Sequence, residues 1–356
     1  MISEKINRLT CVASATIVDA MELIDANTKG LLFVKDDENR LVGCITDGDI
    51  RRWLISTGDL SAKVSSVMTT TPVFLSHKSV KEAEKIMKRK KITAIPIVDD
   101  EKHIVDIILF NDLYSNKTSL KKLSGIPVVV MAGGKGTRLY PYTKILPKPL
   151  IPIGDTPIIE RIIDQFVNFG ADKFYVTVNY KKSMIKSYFG DLNPNYGIVY
   201  IEENKPLGTC GSIKLIEEKF DKPFFVTNSD TLVLADYEDI YNYHCKTGNL
   251  ITIVSAVKNM VVPYGVIHTK KEGEIINIEE KPKLSYLINT GMYVINSEIV
   301  DDIPEDTFYH MTNLVEDVMK NGGKVGMYPI SEDSFLYMGE LGEMKRMEEK
   351  LNIVVE

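Results

Sequence analysis

The stretch that decides the fold runs from Ile126 to Gly154 and reads IPVVVMAGGKGTRLYPYTKILPKPLIPIG. Its β-branched run, Val128–Val130, predicts a buried strand, and glycines follow that strand at once. Glycine has no Cβ, so such a loop turns tightly and lets an anion approach bare backbone N–H groups. Four cations lie in the same stretch, at Lys135, Arg138, Lys144 and Lys148. The pattern predicts a polyphosphate site at the carboxyl edge of an α/β sheet.

The stretch is more specific than a glycine-rich turn. It fits neither the Walker pattern G-x-x-x-x-G-K-[ST] nor the dinucleotide pattern G-x-G-x-x-G. Instead, G-x-G-T-R-L begins at Gly134, and P-K-P-L follows it at short range from Pro147. This combination resembles the signature of sugar-1-phosphate nucleotidyltransferases, which join a nucleoside triphosphate to a sugar phosphate.

The chain beyond this stretch alternates predicted strands with predicted helices. A helix opens at Thr156-Pro157 and stops at Gly170, and strands are predicted over Phe174–Val178 and Phe224–Thr227. This alternation predicts a doubly wound, mainly parallel sheet. The family resemblance implies the same α/β class, a Rossmann-like and GT-A-like catalytic domain over residues 126–356.

Residues 1–118 contain an internal repeat. The segments FVKDDENRLVGCITDGDI and PIVDDEKHIVDIILFNDL each predict a strand, a turn, a second strand and an aspartate that opens a helix. The two copies together would bury a shared core. The repeat resembles a tandem pair of CBS domains, an α+β Bateman module, and residues 119–125 are predicted to be the linker that follows it.

The CBS resemblance implies a possible adenine-nucleotide site. In the first copy, GCITDGDIRR matches the family element G-h-h-T-x-x-D, with Thr46 and Asp49 at the ligand positions. The second copy keeps Asp112 but has Asp106 and Leu109 where glycine and threonine are usual. Alternatively, Thr46 and Asp49 only cap the following helix, and the module is a spacer or dimerisation unit. We expect the module to tune activity or assembly, with homo-oligomers formed through it or through the catalytic domain.

The resemblance also implies which residues meet the nucleotide. Arg138 would stabilise the leaving phosphates, and Lys148, fixed between two prolines, would hold the phosphates. The loop PLGT would lie over base and ribose. The implied nucleotide-binding residues are Ala132, Gly133, Gly134, Gly136, Thr137, Arg138, Lys148, Pro206, Gly208 and Thr209.

A magnesium ion is implied at Asp230. This residue follows the predicted strand ending VTNSD, and a carboxylate at a strand's carboxyl end faces the ligand crevice of such sheets. Mg²⁺ binds through one or two carboxylates plus phosphate oxygens. With Arg138 and Lys148, Asp230 completes the predicted catalytic set. The family's second metal-binding aspartate falls on Tyr337 here, so Glu340 or Asp333 is considered as a substitute.

Further family motifs imply the sugar-phosphate site. In the run EEKP, Glu280 would accept hydrogen bonds from sugar hydroxyls, and Lys281 would meet the sugar phosphate. The remaining implied contacts come from the runs PYG and NTG. They are Tyr264, Gly265, Asn289 and Gly291.

Composition excludes several other classes of protein. The formal net charge of −6 argues against nucleic acid as the main partner. Four widely spaced cysteines predict neither a disulfide framework nor a zinc site. No apolar run reaches membrane-spanning length, and the first residues, MISEKINRLT, lack a signal peptide's apolar segment. A cytoplasmic location without membrane contact is expected.

These features predict that an NTP and a sugar-1-phosphate are converted, with Mg²⁺, to an NDP-sugar and pyrophosphate. The Bateman pair ahead of a transferase domain resembles bacterial guanylyltransferases that activate glucosamine-1-phosphate towards legionaminic acid for surface glycans, which implies GTP. Mannose- or heptose-1-phosphate guanylyltransferases are the alternatives within the class. An alternative of another class is a non-catalytic nucleotide sensor, which Tyr337 would favour.

Overall fold

The computed structural model describes residues 2–27, 29–90, 92–109 and 123–351. The chain forms two compact units. The first comprises Met1–Thr118, Val257–Ile288 and Ser331–Asp333, and the second comprises Ser119–Ala256, Asn289–Ile330 and Ser334–Glu356. The stretch Val257–Ile288, hereafter the arm, therefore groups with the N-terminal repeat rather than with the residues on either side of it.

The N-terminal repeat has the strand pairs that its sequence predicts. Its helices and strands are α1 Ile2–Arg8, β1 Thr10–Val12, α2 Ile17–Asn27, β2 Leu31–Lys35, β3 Leu41–Thr46, α3 Asp47–Thr57, α4 Val80–Lys90, β4 Ala94–Val98 and β5 Ile104–Leu109. In each copy an antiparallel pair, β2 with β3 and β4 with β5, flanks the predicted turn. Buried Phe33 and Leu41 of the first copy share one core with Val98 and Ile107 of the second, as expected for a CBS pair. Asp112 and residues 119–122 lie outside the described residues.

The rest of the chain is the predicted alternation of strands and helices. Its elements are β6 Val128–Met131, α5 Tyr142–Ile145, β7 Pro152–Ile153, β8 Thr156–Pro157, α6 Ile158–Asn168, β9 Lys173–Val178, α7 Lys182–Leu192, β10 Gly197–Glu202, β11 Phe224–Asn228, β12 Thr231–Val233, α8 Tyr237–Thr247, β13 Ile251–Val261, β14 Gly265–Thr269, β15 Ile275–Glu280, β16 Lys283–Ile295, α9 Met311–Lys320, β17 Val325–Ile330, β18 Phe335–Tyr337 and α10 Leu341–Lys350. No described helix is both long and apolar enough to cross a membrane.

A seven-stranded sheet organises the second unit, in the order β10-β9-β6-β11-β16-β13-β17. Strands β10, β9, β6 and β11 run parallel to one another, whereas β11 and β16 pair antiparallel. Strand β6 is buried along its whole length, which accounts for its unbroken run of β-branched residues. Helix α6 buries Ile158, Ile162 and Phe166, so its sequence periodicity of apolar residues matches the face it hides.

The arm ends in a two-stranded ribbon. Strands β14 and β15 pair antiparallel, with Gly265 opposite Glu280. Every residue of β15 is exposed, including Ile276 and Ile278. The ribbon therefore has almost no core of its own.

Candidate functional site

The first glycine loop and Asp230 leave the sheet side by side. Strands β6 and β11 are parallel neighbours in which Met131 pairs with Asn228. The Ser229 N–H donates a hydrogen bond to the Met131 carbonyl at 3.2 Å. Both loops thus emerge from the carboxyl ends of adjacent strands, at the edge where the sequence predicts the phosphate site.

Gly136 lets the loop fold back onto Lys148. Its φ of +64° lies in the left-handed region, and a Cβ built there would sit 2.8 Å from the Lys148 Cβ. The chain then enters a short 3-10 helix, Thr137–Leu139, that leaves Thr137 and Arg138 exposed. Ala132, at the start of the loop, is buried, and Gly134 is exposed. The first loop therefore presents Arg138 and backbone to solvent at the site.

Lys148 and Asp230 form an ion pair across the site. The Lys148 Nζ lies 2.5 Å from the Asp230 Oδ2, and their side chains are only 14% and 17% exposed. Lys148 begins a 3-10 helix, Lys148–Leu150, between Pro147 and the buried Pro149, so its backbone is held firmly. A partly buried pair is weakly screened by salt, so the two charges interact strongly with each other.

Tyr337 completes this cluster. Strand β18 pairs antiparallel with β12, which places Tyr337 opposite Thr231 and next to Asp230. The Arg138 Nη1 donates to the Tyr337 Oη at 3.4 Å, and the Lys148 Nζ lies 5.4 Å from the centre of the Tyr337 ring. The ring face attracts a cation at this distance. An aromatic ring therefore lies beside Asp230, at the residue on which the sequence resemblance placed a second carboxylate.

The donor set is compatible with one divalent ion that brings its own phosphate ligands. Asp230 is the carboxylate in the cluster, and Mg²⁺ needs only one or two protein carboxylates when phosphates supply the other oxygens. Within the described ranges, no group of three or more His, Cys, Asp and Glu side chains could hold a metal by itself. Of the two substitutes considered from sequence, Glu340 is an exposed residue preceding α10, and Asp333 belongs to the first unit.

Glu203 is a site residue that the sequence reasoning missed. It follows β10, is only 5% exposed, and lies against Gly133, where a built Cβ would come within 2.7 Å of its Oε1. Its Oε2 accepts a hydrogen bond from the Leu207 N–H at 3.4 Å. Burial raises the pKa of this carboxyl, partly offset by its hydrogen bonds. The one sequence feature that could have indicated this residue is its place three residues before Pro206, within the charged run EENK.

The second glycine loop is fixed by the start of α9. Gly208 has a φ of +80°, and a Cβ there would lie 2.5 Å from the Tyr309 carbonyl oxygen. The Thr209 hydroxyl accepts the Met311 N–H at 3.2 Å, so its side chain helps to begin α9. Pro206 is exposed at the beginning of the loop. The close approach of Tyr309 therefore explains why residue 208 is a glycine. Thr209 has a hydrogen-bond partner within the protein, in addition to its predicted contact with the nucleotide.

The predicted sugar-phosphate residues fall into two groups. Gly291 lies on β16 beside Asn228, close enough that a Cβ would meet its side chain, and its N–H donates to the Asn289 Oδ1 at 3.0 Å. The other four residues lie on the arm, in the first unit, where the Lys281 N–H donates to the Tyr264 carbonyl at 3.3 Å and Gly265 pairs with Glu280. Asn289 and Gly291 therefore stand near the end of β11, and the sugar-phosphate contacts of all six residues stay predictions.

Thr46 and Asp49 form a capping box at the start of α3. The Thr46 hydroxyl and backbone N–H donate to the Asp49 Oδ2 at 2.7 and 2.9 Å, and the Asp49 N–H donates back to the Thr46 hydroxyl at 3.2 Å. This is the capping role that the sequence left open. An adenine-nucleotide role for these two residues remains a prediction, and so does that of Asp112, which lies outside the described residues.

Family models match both parts of the chain. The nucleotidyl transferase model matches residues 127–326, and the CBS domain model matches residues 4–56 and 64–119. The first match covers more than half of the chain. The chain therefore belongs to the nucleotidyl transferase family and carries a pair of CBS domains.

Curated relatives share the transferase part. UTP–glucose-1-phosphate uridylyltransferase of Synechocystis is 34% identical over 51% of this chain and 52% of its own length. Mannose-1-phosphate guanyltransferase of Saccharomyces cerevisiae is 35% identical over 49% of this chain and 50% of its own. The bifunctional protein GlmU of Methanococcus maripaludis is 38% identical over 48% of this chain and 40% of its own. The chain thus spans about half the length of the relatives it matches, or less.

Proposed function

We propose that the protein is a sugar-1-phosphate nucleotidyltransferase that converts an NTP and a sugar-1-phosphate to an NDP-sugar and pyrophosphate. One observation carries the proposal. The Lys148–Asp230 pair, with Arg138 beside it, stands at the carboxyl edge of neighbouring parallel strands, next to a glycine loop. Curated relatives named for this type of transfer, on glucose-1-phosphate and mannose-1-phosphate, support it.

The proposed reaction is an in-line displacement at the α-phosphorus of the NTP. A phosphate oxygen of the sugar-1-phosphate forms the new P–O bond, and the bond to the β-phosphate breaks, so that pyrophosphate leaves with its charge. The nucleophile is already an anion, so the site needs no general base. Lys148 and Arg138 neutralise the triphosphate, which favours the transition state because negative charge builds up on the leaving pyrophosphate there. Asp230 would hold Mg²⁺, which supplies further charge neutralisation at the phosphates.

We propose GTP as the nucleotide. The buried Glu203 carboxylate lies against Gly133 beside the first loop, and one of its oxygens, Oε2, accepts the Leu207 N–H. Guanine presents two adjacent donors, N1–H and the 2-amino group, which match a carboxylate. Uracil and thymine present one N–H between two carbonyl oxygens, and these oxygens would repel the carboxylate. Guanine is therefore the base whose donors best match a carboxylate acceptor at this place.

The variant Glu203→Gln is expected to weaken this preference. An amide replaces one acceptor by a donor, so the ratio of kcat/KM for GTP to that for UTP should fall about ten- to a hundred-fold, the cost of one mispaired buried group. This ratio is measured by steady-state kinetics with GTP and with UTP. Glu202→Gln is the matched control, because Glu202 is exposed and pairs with Lys182 and Lys186. An unchanged ratio in Glu203→Gln would show that Glu203 does not read the base.

For the sugar, we propose glucosamine-1-phosphate. The support is the resemblance of the combined CBS pair and transferase domain to guanylyltransferases of legionaminic acid synthesis. Mannose-1-phosphate is the second candidate, because guanyltransferases named for it are among the relatives. Heptose-1-phosphate is the third candidate.

Tyr337→Asp is expected to strengthen metal binding. A carboxylate beside Asp230 would give a divalent ion a second charged ligand. Mn²⁺, measured by calorimetry with a non-hydrolysable GTP analogue present, should bind about ten-fold more tightly, which corresponds to roughly 1.4 kcal/mol. Tyr337→Asn is the control, because asparagine is similar in size to aspartate but carries no charge. Equal Mn²⁺ affinities in Tyr337→Asp and the parent protein would place the ion away from Tyr337.

The enzyme proposal is tested by turnover. Pyrophosphate release is measured with Mg²⁺ for each pairing of ATP, GTP, UTP, CTP and dTTP with glucosamine-, mannose-, glucose- and heptose-1-phosphate. We expect GTP with one of these sugars to give turnover that Asp230→Ala abolishes. If no pairing exceeds the Asp230→Ala background while GTP still binds, the chain is the nucleotide sensor instead.

A further inference from the structure

The exposed ribbon of the arm needs support at its base. A two-stranded ribbon is marginally stable by itself, and neither face of β15 is covered. The base of the ribbon carries Tyr264 and Lys281, which are joined by a backbone hydrogen bond of 3.3 Å. Whatever fixes the strands leading into the ribbon therefore fixes the orientation of these two residues.

One oxygen of Glu22 joins both of those strands. The Glu22 Oε1 accepts a hydrogen bond from the Asn259 Nδ2 at 2.8 Å and another from the Lys283 Nζ at 2.8 Å. Asn259 lies in β13, which enters the ribbon, and Lys283 begins β16, which leaves it. The Ser285 hydroxyl donates to the Asn259 Oδ1 at 2.7 Å and closes the network.

Glu22 belongs to a helix that the CBS pair holds rigidly. Helix α2 buries Ile17, Met21 and Ile24, and in its first turn the Asp19 Oδ2 accepts a hydrogen bond from the Thr16 hydroxyl at 2.7 Å. The other carboxylate oxygen of Asp19 lies 3.6 Å from the Lys283 Nζ. Two carboxylates of one packed helix thus face the same ammonium group.

The charge on Lys283 is stabilised by this contact. Partial burial acts to lower the pKa of Lys283, but the carboxylates of Glu22 and Asp19 outweigh it, and the pKa is raised. Lys283 is two residues from Lys281, whose own φ of +49° is a left-handed conformation. A residue in that conformation needs its surroundings to hold it, and the Glu22 contact lies close by in the chain.

We propose that Glu22 is a positioning residue for the arm: through Asn259 and Lys283 it holds Glu280 and Lys281 in the orientation that receives the sugar phosphate. The substrate named here rests on the proposed function, whereas the holding of the arm does not. The CBS pair is then coupled to substrate binding by a direct contact, and its effect falls on the sugar phosphate rather than on the nucleotide.

The test exchanges the charges at this contact. Glu22→Lys and Lys283→Glu are each made alone and then together, and Glu101→Lys, an exposed charge reversal elsewhere in the CBS pair, is the control. Each single variant should raise the KM for the sugar-1-phosphate about three- to ten-fold, the range for a lost ion pair with its hydrogen bonds, and leave kcat and the KM for GTP near the parent values. The double variant should recover part of the loss, because it rebuilds the ion pair but not the hydrogen bond that Asn259 donates to Glu22, and it sets a carboxylate near Asp19.

Hydrogen exchange gives a readout that needs no activity. Backbone amides of residues 262–284 should exchange faster in each single variant and return towards the parent rate in the double variant. If the single variants keep parent exchange rates, Glu22 does not hold the arm, whether or not the protein turns over. If exchange changes as expected but no NDP-sugar is formed by the parent protein, the positioning role stands and the proposed function fails.

Discussion

Replacing Lys148 by methionine is expected to lower kcat/KM for pyrophosphate release about a thousand-fold, the usual scale for losing one charge that acts on the transition state. Methionine keeps much of the apolar stem of lysine and removes the ammonium group. The triphosphate then loses the cation that lies 2.5 Å from Asp230 at the centre of the cluster. Lys148 is proposed to contact phosphate in both the ground state and the transition state. We therefore expect its loss to raise the KM for GTP and to lower kcat.

The control for Lys148→Met is Lys186→Met. Lys186 is a lysine of the same unit whose ion pair is with Glu202. Its loss should leave kcat/KM within about two-fold, because a surface pair contributes little. A Lys148→Met variant with parent-like kcat/KM and an unchanged melting temperature would contradict the assignment of Lys148. A melting temperature lower by many degrees would call for Lys148→Arg, which keeps the charge and should restore part of the activity.

Asp230→Asn should lower turnover by about three orders of magnitude, because an amide keeps the size of the side chain and loses the charge that a divalent ion requires. The loss should fall mainly on kcat. Mn²⁺ binding with a non-hydrolysable GTP analogue should weaken in parallel, since Asp230 is the carboxylate of the cluster. Turnover and Mn²⁺ affinity are measured on the same protein preparation.

Asp191→Asn serves as the control for Asp230→Asn, since Asp191 is an exposed aspartate near the end of α7. The Asp230→Asn substitution would also leave Lys148 without its carboxylate partner, which should raise rather than lower the affinity of Lys148 for phosphate. GTP binding without metal is therefore expected to persist in Asp230→Asn. Full activity in this variant, or loss of GTP binding without metal, would overturn the role given to Asp230.

Much of the fold could be predicted from the sequence, because local signals and hydrophobic pattern agree there. The β-branched run of β6 and the glycines after it predicted a buried strand ending in a loop, and the structure has both. The repeat predicted two similar strand pairs with one shared core, and Phe33 and Ile107 share that core. These features depend on neighbours in sequence or on a period, which a sequence displays directly.

The site was harder to predict where it depends on residues far apart in the chain. Lys148 and Asp230 are 82 residues apart, and only the parallel order of β6 and β11 brings their loops together. Glu203 was missed because a glutamate in a charged run usually faces solvent, and its burial against Gly133 comes from the tertiary fold. The grouping of the arm with the CBS pair could not be predicted either. It depends on contacts between residues far apart in the chain, such as that of Glu22 with Lys283.

Tyr337 shows what a departure from a family motif can mean. The sequence resemblance placed this residue on the position of a second metal-binding aspartate. The structure pairs Tyr337 with Thr231 and sets its ring near Lys148, so the departure lies inside the site. We infer that charge neutralisation at the proposed site depends mainly on Arg138 and Lys148.

Nucleotidyl transfer is tested most directly by following the phosphate oxygen atoms of the sugar-1-phosphate into the products. Sugar-1-phosphate labelled with ¹⁸O at its phosphate is incubated with GTP, Mg²⁺ and the protein, and the products are analysed by mass spectrometry. Attack of the sugar phosphate on the α-phosphorus predicts that all of the label appears in the NDP-sugar and that the pyrophosphate is unlabelled. Label in pyrophosphate or free phosphate, or no NDP-sugar with any sugar of the panel, would contradict nucleotidyl transfer at the Lys148–Asp230 site.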